Sequence, residues 1–182
     1  SYSVTGVQTC ALPILLLNHR ESIGLHNGVP FLMVIYNPEK ELECRKYIQN
    51  IKEKLESRSL QVLNIPINLM IFNNLEKEGH LEDIFSYDED QPLEVRKELS
   101  QRCKLALKQF ILDKVKEKPS AIVFLTNVAG LYPYYRISNL LTSLEKEISI
   151  PFVVFYPGEI RDDKLYFMGE LESNEYYRAQ RI

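Results

Sequence analysis

The sequence predicts an α/β fold, in which a single three-layer domain holds a mainly parallel sheet of about five strands with helices on both faces. Short and almost wholly apolar runs such as Phe31–Tyr36 are typical of strands that are buried on both sides. Between such runs, apolar residues recur at intervals of three and four, which is the spacing of one helix face. Because strands that alternate with helices pair through crossover connections, a chain of 182 residues fits one domain of this class.

The first predicted strand is Phe31–Tyr36, which has a proline close to each end. A helix is expected from Pro38 to about Ser57, because its apolar residues at positions 44, 48, 51 and 55 follow one helix face. Glutamates crowd its first turn, where the helix dipole favours acids. A second strand, Leu60–Ile65, ends at a proline, and a second helix over 68–79 begins at an asparagine cap and ends at a glycine.

The second half of the chain continues this alternation. A polar loop at residues 86–92 precedes a long predicted helix, Leu93–Lys116, whose apolar stripe lies opposite its lysines and arginines. A proline at position 119 ends the helix. The elements that follow are a buried strand at Ala121–Thr126, a helix at Ile137–Glu147, a strand at Phe152–Tyr156 and a strand at Leu165–Met168.

The first fourteen residues differ from the rest of the chain. The run Val4–Ile14 looks like the conceptual translation of a common sequencing adapter, and it lacks the basic flank of a signal peptide. We therefore expect residues 1–14 to be a non-native run and residues 15–182 to form the domain; an ordinary first strand is the alternative. On this interpretation Cys10 is not native, and Cys44 and Cys103 are expected to be buried free thiols.

The composition argues against several classes of protein. Lys and Arg number 22 against 25 Asp and Glu, and the resulting net charge of −3 gives no global attraction to nucleic acid. The longest apolar runs, Leu12–Leu17 and Phe31–Tyr36, are far shorter than the roughly 20 residues that cross a bilayer. We therefore expect a soluble protein that has no membrane partner.

The motifs of nucleotide-binding α/β proteins are missing. The seven glycines include no Gly-x-Gly pair and no Gly-Lys-Ser/Thr occurs, which excludes a dinucleotide turn and a Walker A loop. After the first strand, Pro38 has no N–H for a phosphate and Glu39 would repel one. No Gly-x-Ser-x-Gly turn occurs, and the three histidines lack the spacing of metal ligands. We therefore expect Rossmann-like or P-loop-like layering without Walker A, no enzymatic activity, no cofactor and no metal.

Tyrosines and arginines collect in segments that follow the predicted strands or end the chain. Because the carboxyl ends of parallel strands meet at one edge, we expect segments 126–136, 156–159 and 176–181 to share a functional rim. Both residue types are enriched at protein interfaces. The candidate binding residues are Thr126, Asn127, Gly130, Tyr132, Tyr135, Arg136, Tyr156, Gly158, Glu159, Tyr177 and Arg178. The structural alternative is that Tyr132 and Tyr135 pack onto the sheet and that the two arginines pair with Glu159 or another acid.

Four blocks of the sequence resemble one protein family. They are Gly24–Phe31, Val123–Val128 with its continuation through Tyr132-Pro133 and Arg136 to Leu140-Leu141, Pro151–Glu159, and Tyr176-Tyr177-Arg178-Ala179. In the order and spacing of these blocks, residues 15–182 are similar to the BrxB family of BREX bacteriophage-exclusion systems. The resemblance implies a small cytoplasmic component of an antiviral defence system, encoded beside a large ATPase, a methyltransferase and a phosphatase-like protein.

Three functions are compatible with these features. The favoured one is a non-catalytic adaptor or assembly subunit that docks on larger BREX proteins through the tyrosine and arginine rim. The second is a degenerate domain that binds a nucleotide or phosphate at Thr126–Gly130 and Arg136. The third is an accessory subunit that contacts nucleic acid through a basic helix face, although such a face is usually only solvated. The basic residues of that face are Arg96, Lys97, Arg102, Lys104 and Lys108.

Overall fold

A parallel sheet of five strands lies at the centre of the structure, a computed structural model that describes residues 8–25, 28–70, 93–131, 136–162, 164–172 and 180–181. The strands are β1 (Phe31–Tyr36), β2 (Val62–Pro66), β3 (Ile122–Thr126), β4 (Phe152–Arg161), β5 (Lys164–Phe167), β6 (Leu171–Glu172) and β7 (Gln180–Arg181). The longer helices are α1 (Gln8–Asn18), α2 (Glu41–Glu56), α3 (Leu93–Glu117) and α4 (Ile137–Leu144).

The five parallel strands lie in the order β2-β3-β4-β1-β7, and the antiparallel strands β5 and β6 continue from β4. Along its whole length β1 pairs with β4, from Phe31 opposite Phe152 to Tyr36 opposite Pro157. The strand β1 therefore lies inside the sheet, between β4 and β7. This arrangement confirms the predicted α/β class and its mainly parallel sheet of five strands.

Helices cover both faces of the sheet, so the predicted three-layer arrangement is confirmed. On one face, Leu16 of α1 and Ile51 of α2 are buried against strand residues that include Phe124. On the other face, the buried contacts of α3 and α4 include Leu107 and Leu140. Because strand residues point alternately to the two faces, each of the strands β1 to β4 contributes to both of these apolar layers.

The helix α1 contains residues 8–14 of the run that the sequence predicts to be non-native. Leu12 and Leu16, one helical turn apart, have no exposed surface and join the same apolar cluster as α2. Over residues 8–14 the structure has a helix, whereas an ordinary first strand was the alternative. The origin of residues 1–14 stays a prediction, and their contribution to stability is measurable, as discussed below.

The strands that follow β3 differ from the prediction in three respects. β4 extends to Arg161 instead of ending at Tyr156, because its last residues leave the parallel sheet and pair with β5. The strand predicted at Leu165–Met168 is present as β5, but it is antiparallel to β4. The fifth parallel strand is instead β7, whose two residues are too few to give a periodic signal.

Part of the predicted second helix lies within the described residues. Residues 67–70 are helical, whereas 71–79 and the predicted loop at 86–92 lie outside the described residues. Cys44 is a buried free thiol, as predicted, and the side chain of Cys103 is not described. In the described part of the chain, none of the helices combines the length and the apolar character needed to cross a membrane.

Candidate functional site at the carboxyl edge of the sheet

The carboxyl edge of the sheet is assembled from the ends of four strands. β1 ends at Tyr36, β2 at Pro66 and β3 at Thr126, and β4 passes this edge and continues beyond it. In open parallel sheets, this edge is where ligands and partners bind. It is also the edge at which the sequence predicts the site residues.

Side-chain amides and a hydroxyl join the ends of β2 and β3. The hydroxyl of Thr126, which is buried, donates to Oδ1 of Asn64 at 2.9 Å. Nδ2 of Asn127 donates to Oδ1 of Asn68 at 3.1 Å. Asn127 has a φ of 54°, a left-handed conformation that asparagine tolerates better than most residues. Thr126 and Asn127 therefore use their side chains to hold two strand ends together.

Gly130 lies in a 3-10 turn, Val128–Leu131, that follows this contact. A Cβ atom at this glycine would be 3.0 Å from Cβ of Asn68, so the backbone approaches Asn68 closely. The amide of Gly130 donates to the carbonyl of Asn127 at 3.1 Å, within the turn. Because this N–H is already bonded within the turn, it does not form part of a phosphate-binding loop. The close contact with Asn68 indicates that the glycine is needed for packing.

The end of β1 is closed by an asparagine cap and a proline. Oδ1 of Asn37 accepts from the amide of Glu39 at 2.9 Å, and Pro38 has no amide hydrogen to donate. A helix that begins after a parallel strand can bind an anion through its free backbone N–H groups. Here the N–H of Glu39 is already bonded and Pro38 has none, so few such groups are left. Next to them, the hydroxyl of Tyr36 donates to Glu41, which accepts from Nε of Arg45 at 2.9 Å.

Two buried weakly acidic groups, the thiol of Cys44 and the hydroxyl of Tyr36, should make the protein less stable at alkaline pH. Burial, with Glu41 adding to it, raises the pKa of the Cys44 thiol to about 12, above its usual value of about 8.5. Burial and the hydrogen bond to Glu41 also raise the pKa of Tyr36. Since each folded-state pKa lies above the unfolded one, the stabilisation is complete below the unfolded pKa and is lost as the pH rises toward the folded one.

We therefore expect the free energy of unfolding to fall between about pH 8.5 and pH 12. Urea denaturation at a series of pH values measures this slope. Cys44→Ala and Tyr36→Phe should each make the slope shallower, because each removes one group that ionises only after unfolding. An unchanged slope in both variants would contradict this account of the cluster.

Beyond the carboxyl edge, β4, β5 and β6 form a three-stranded antiparallel extension, residues 158–172, which we call the hairpin. The register pairs Glu159 with Tyr166 and Tyr166 with Glu172, so these side chains share one face. The guanidinium carbon of Arg161 lies 4.2 Å from the ring centroid of Tyr166, and Nε of Arg161 lies 3.7 Å from Oε2 of Glu159. Lys164, which lies opposite Arg161 in the register, pairs through Nζ with Glu172 of β6 at 2.9 Å.

The opposite face of the hairpin is apolar and packs onto the sheet. The ring of Tyr156 lies 5.1 Å from the ring of Phe167, centroid to centroid, and Tyr156 is only 3% exposed. Gly158 is buried beneath this ring. The sequence predicted that Tyr156 and Gly158 form part of an exposed rim. They belong instead to the packed interior, because β4 continues as a strand with that face turned inward.

The remaining predicted site residues fall into three groups. Arg136 is exposed at the N-terminus of α4, and its side chain makes no capping hydrogen bond. Glu159 is partly exposed and pairs with Arg161, a residue that the prediction did not include. Four predicted residues lie outside the described part of the chain, namely Tyr132, Tyr135, Tyr177 and Arg178.

The last described strand corrects the predicted position of the chain end. The register places Gln180 opposite Leu32 and Arg181 opposite Met33, which are the second and third residues of β1. Since the two strands are parallel, Gln180 and Arg181 lie beside the amino-terminal half of β1. The sequence predicted this segment at the carboxyl edge, and for Gln180 and Arg181 that placement is wrong.

Sequence reasoning missed Arg161, which is exposed, and Tyr166, which is partly exposed. A weak signal was present, because charged and apolar residues alternate over Glu159-Ile160-Arg161, and a second short apolar run, Leu165–Phe167, follows the charged residues 162–164. The positive φ of Asp162, 48°, marks the turn. Within the described residues, no three His, Cys, Asp or Glu side chains are grouped closely enough to hold a metal.

The fold and this edge define a class of protein: a three-layer α/β domain with an amide-lined strand edge and a projecting polar hairpin. Comparison with known proteins identifies the family within that class. A family model described as "BREX protein BrxB" matches residues 63–182, so the chain belongs to the BrxB family.

Two relatives extend the match toward the amino terminus. A BREX protein BrxB of Bacillus cereus (strain H3081.97) is 30% identical over 168 residues, which cover 88% of this chain and 86% of the relative. A BREX protein BrxB of Escherichia coli O9:H4 (strain HS) is 26% identical over 164 residues, which cover 87% and 80%. No solved structure matches the chain significantly. The family resemblance inferred from the sequence is confirmed, and membership makes this chain a BREX system protein.

Proposed function

We propose that this chain is a non-catalytic docking subunit of a BREX phage-defence system, and that the polar face of the hairpin is its docking surface. The observation that supports the proposal most directly is the stack of Arg161 on Tyr166. Arginine and tyrosine are the residue types that most often dominate the binding energy of protein interfaces. Here the pair projects from strands beyond the carboxyl edge, where a partner has access to it.

The hairpin holds this pair in place before any partner arrives. Arg161 donates to the carbonyl of Gly169 and lies close to Glu159, and both of these contacts come from within the hairpin. A side chain fixed in this way loses little conformational entropy when it binds. A recognition surface requires an exposed arginine and an aromatic ring to be held in position. The stability of the fold alone does not require this.

The chemistry of the surface indicates the kind of partner. Glu159, Arg161, Lys164 and Glu172 present both signs of charge around one aromatic ring. Such a mixed polar surface is typical of an interface between proteins that also exist separately. Family membership makes other BREX proteins the natural partners: the large ATPase, the methyltransferase or the phosphatase-like component.

Replacing the stacked pair should abolish docking. We expect Arg161→Ala combined with Tyr166→Ala to reduce co-purification of a BREX partner by about tenfold or more, as loss of an interface hot spot does. An affinity pull-down from cells that express the whole defence operon, with the tagged chain as bait, measures this. Circular dichroism of the purified variant shows whether the fold is retained.

The matched control is Lys52→Ala with Glu56→Ala, which removes an ion pair of α2 outside the proposed docking surface. This ion pair is solvent-accessible and should contribute little to stability. We expect the control to retain its partner. Equal partner recovery with the Arg161/Tyr166 variant and the control would count against docking through the stacked pair.

Titration calorimetry separates this proposal from a nucleotide-binding function. The side chains of Thr126 and Asn127 are paired with Asn64 and Asn68, which favours a structural role for this segment. We expect no heat of binding from ATP or GTP. Micromolar binding that is lost in Arg136→Ala would favour the degenerate nucleotide-binding domain instead.

A further inference from the structure

An open groove of about 770 Å³ lies along α3, and its lining residues do not belong to the hairpin. Residues 105–116 of the helix form its floor and one wall, and Glu147, just beyond α4, lies on the other side. Nζ of Lys108 reaches Oε1 of Glu147 at 3.2 Å, which ties the two sides together. We call this feature the α3 groove.

The floor of the groove has the spacing of a helix-packing seam. Leu105, Lys108, Leu112 and Val115 are separated by three, four and three residues and all line the groove. Among the described side chains of α3, the buried ones are other residues, Leu107 and Ile111. Side chains at alternating intervals of three and four are what one helix presents to another. A helix is therefore the shape of occupant that this floor fits.

Leu105 is the most exposed part of this seam, since 67% of its surface is accessible. Leu112 and Val115 are half-buried against the core, so they form a firm apolar base. From position 105 to position 115 the helix rises about 15 Å, at about 1.5 Å per residue. The seam therefore offers about three turns of contact to a second helix.

The rim of the groove has a surplus of positive charge. Residues 104–118 contain five lysines against two acids, Asp113 and Glu117. Three of these lysines are paired with acids: Lys108 with Glu147, Lys114 with Glu117 and Lys116 with Asp113. The surplus is therefore carried by Lys104 and Lys118, which are exposed at the two ends. An occupant that carries acidic residues beside its apolar stripe complements this rim.

We propose that the α3 groove binds an acidic amphipathic helix of another BREX protein. Its apolar residues contact Leu105 and Leu112, and its carboxylates face the lysines of the rim. The apolar floor argues against nucleic acid as the occupant, because a phosphate backbone has no group that would bury Leu105. This surface is separate from the hairpin and does not depend on the function proposed for it.

Site-specific photo-crosslinking in cells that express the full defence operon tests the proposal. The photoreactive residue is introduced as Leu105→p-benzoylphenylalanine, with Leu42→p-benzoylphenylalanine as the control on α2, where Leu42 is 73% exposed. After irradiation, mass spectrometry identifies the crosslinked peptide. We expect position 105, and not position 42, to capture a segment of another BREX protein that has net negative charge and an apolar stripe at helical spacing.

A charge reversal supplies the second measurement. Lys104→Glu, Lys108→Glu and Lys116→Glu together should lower the crosslink yield by about tenfold or more, because like charges then face the occupant. The matched control reverses Lys46, Lys52 and Lys54 on α2 and should leave the yield unchanged. Circular dichroism verifies that both triple variants fold.

Four results would overturn the proposal. These are capture of a second copy of this chain, capture of DNA or RNA, capture of a segment without acidic residues, and a yield at position 105 no higher than at position 42. The crosslinking strain carries an unaltered hairpin. The crosslinking result can therefore be interpreted even if the hairpin prediction fails. Likewise, the pull-down result can be interpreted even if the crosslinking prediction fails.

Discussion

Leu12→Ala is expected to lower the free energy of unfolding by about 2–5 kcal/mol, the range for removing a large aliphatic side chain from a core. Leu12 has no exposed surface and packs in the apolar cluster between α1, α2 and the sheet. Its truncation leaves a cavity within that cluster. Urea denaturation followed by circular dichroism measures the change.

The matched control is Ile14→Ala, two residues along the same helix, where the side chain is 51% exposed. This variant should change stability by less than about 0.5 kcal/mol, as surface substitutions usually do. If Leu12→Ala had an equally small effect, α1 would lie outside the stable fold. That result would agree with the expectation that residues 1–14 are not native to the domain.

Gly158→Val is the second substitution with a large expected effect. A Cβ atom at this position would lie 2.6 Å from the carbonyl oxygen of Tyr166 and 2.7 Å from Cε1 of Tyr156. The first contact is with backbone of the neighbouring strand, which cannot move without breaking the pairing of β4 and β5. We expect a loss of about 3 kcal/mol, at the upper end for overpacking.

Gly158→Ala should show a smaller loss in the same direction, and Gly130→Ala serves as the comparison. At Gly130 the new Cβ would meet a side-chain atom, Cβ of Asn68, at 3.0 Å, which needs a shift of only a few tenths of an ångström. Thermal and urea unfolding of the three variants should therefore rank Gly158→Val as least stable. A Gly158→Val variant as stable as the unaltered chain would contradict the packing of the hairpin on Tyr156.

Most of the sheet could be predicted from the sequence because its strands are strongly apolar. Phe31–Tyr36 and Ile122–Thr126 are buried on both faces, so their composition alone distinguishes them from the amphipathic helices. The antiparallel extension was only partly predictable, since pairing direction depends on the turn at Asp162 and not on strand composition. β7 could not be predicted, because two residues carry no periodicity.

The candidate site was less predictable than the fold, and the reason is physical. Tyrosine and glycine were interpreted as rim residues from their position after a strand, but Tyr156 turns inward because β4 does not end there. Conversely, Arg161 and Tyr166 meet only through the register of two strands, which a linear pattern does not specify. The pairing of Asn127 with Asn68 likewise depends on contact between residues 59 positions apart.

The position of β1 inside the sheet has a consequence for biosynthesis. Its partner along the full length of the strand is β4, and Phe31 and Phe152 are 121 positions apart, that is, 152 minus 31. At about 5–20 residues per second, the ribosome needs roughly 6 to 24 s to make the intervening polypeptide. During that interval six consecutive apolar residues have no strand of β4 to pair with. Nascent chains of this protein should therefore depend on chaperones, and slower growth at low temperature should improve the yield of folded product.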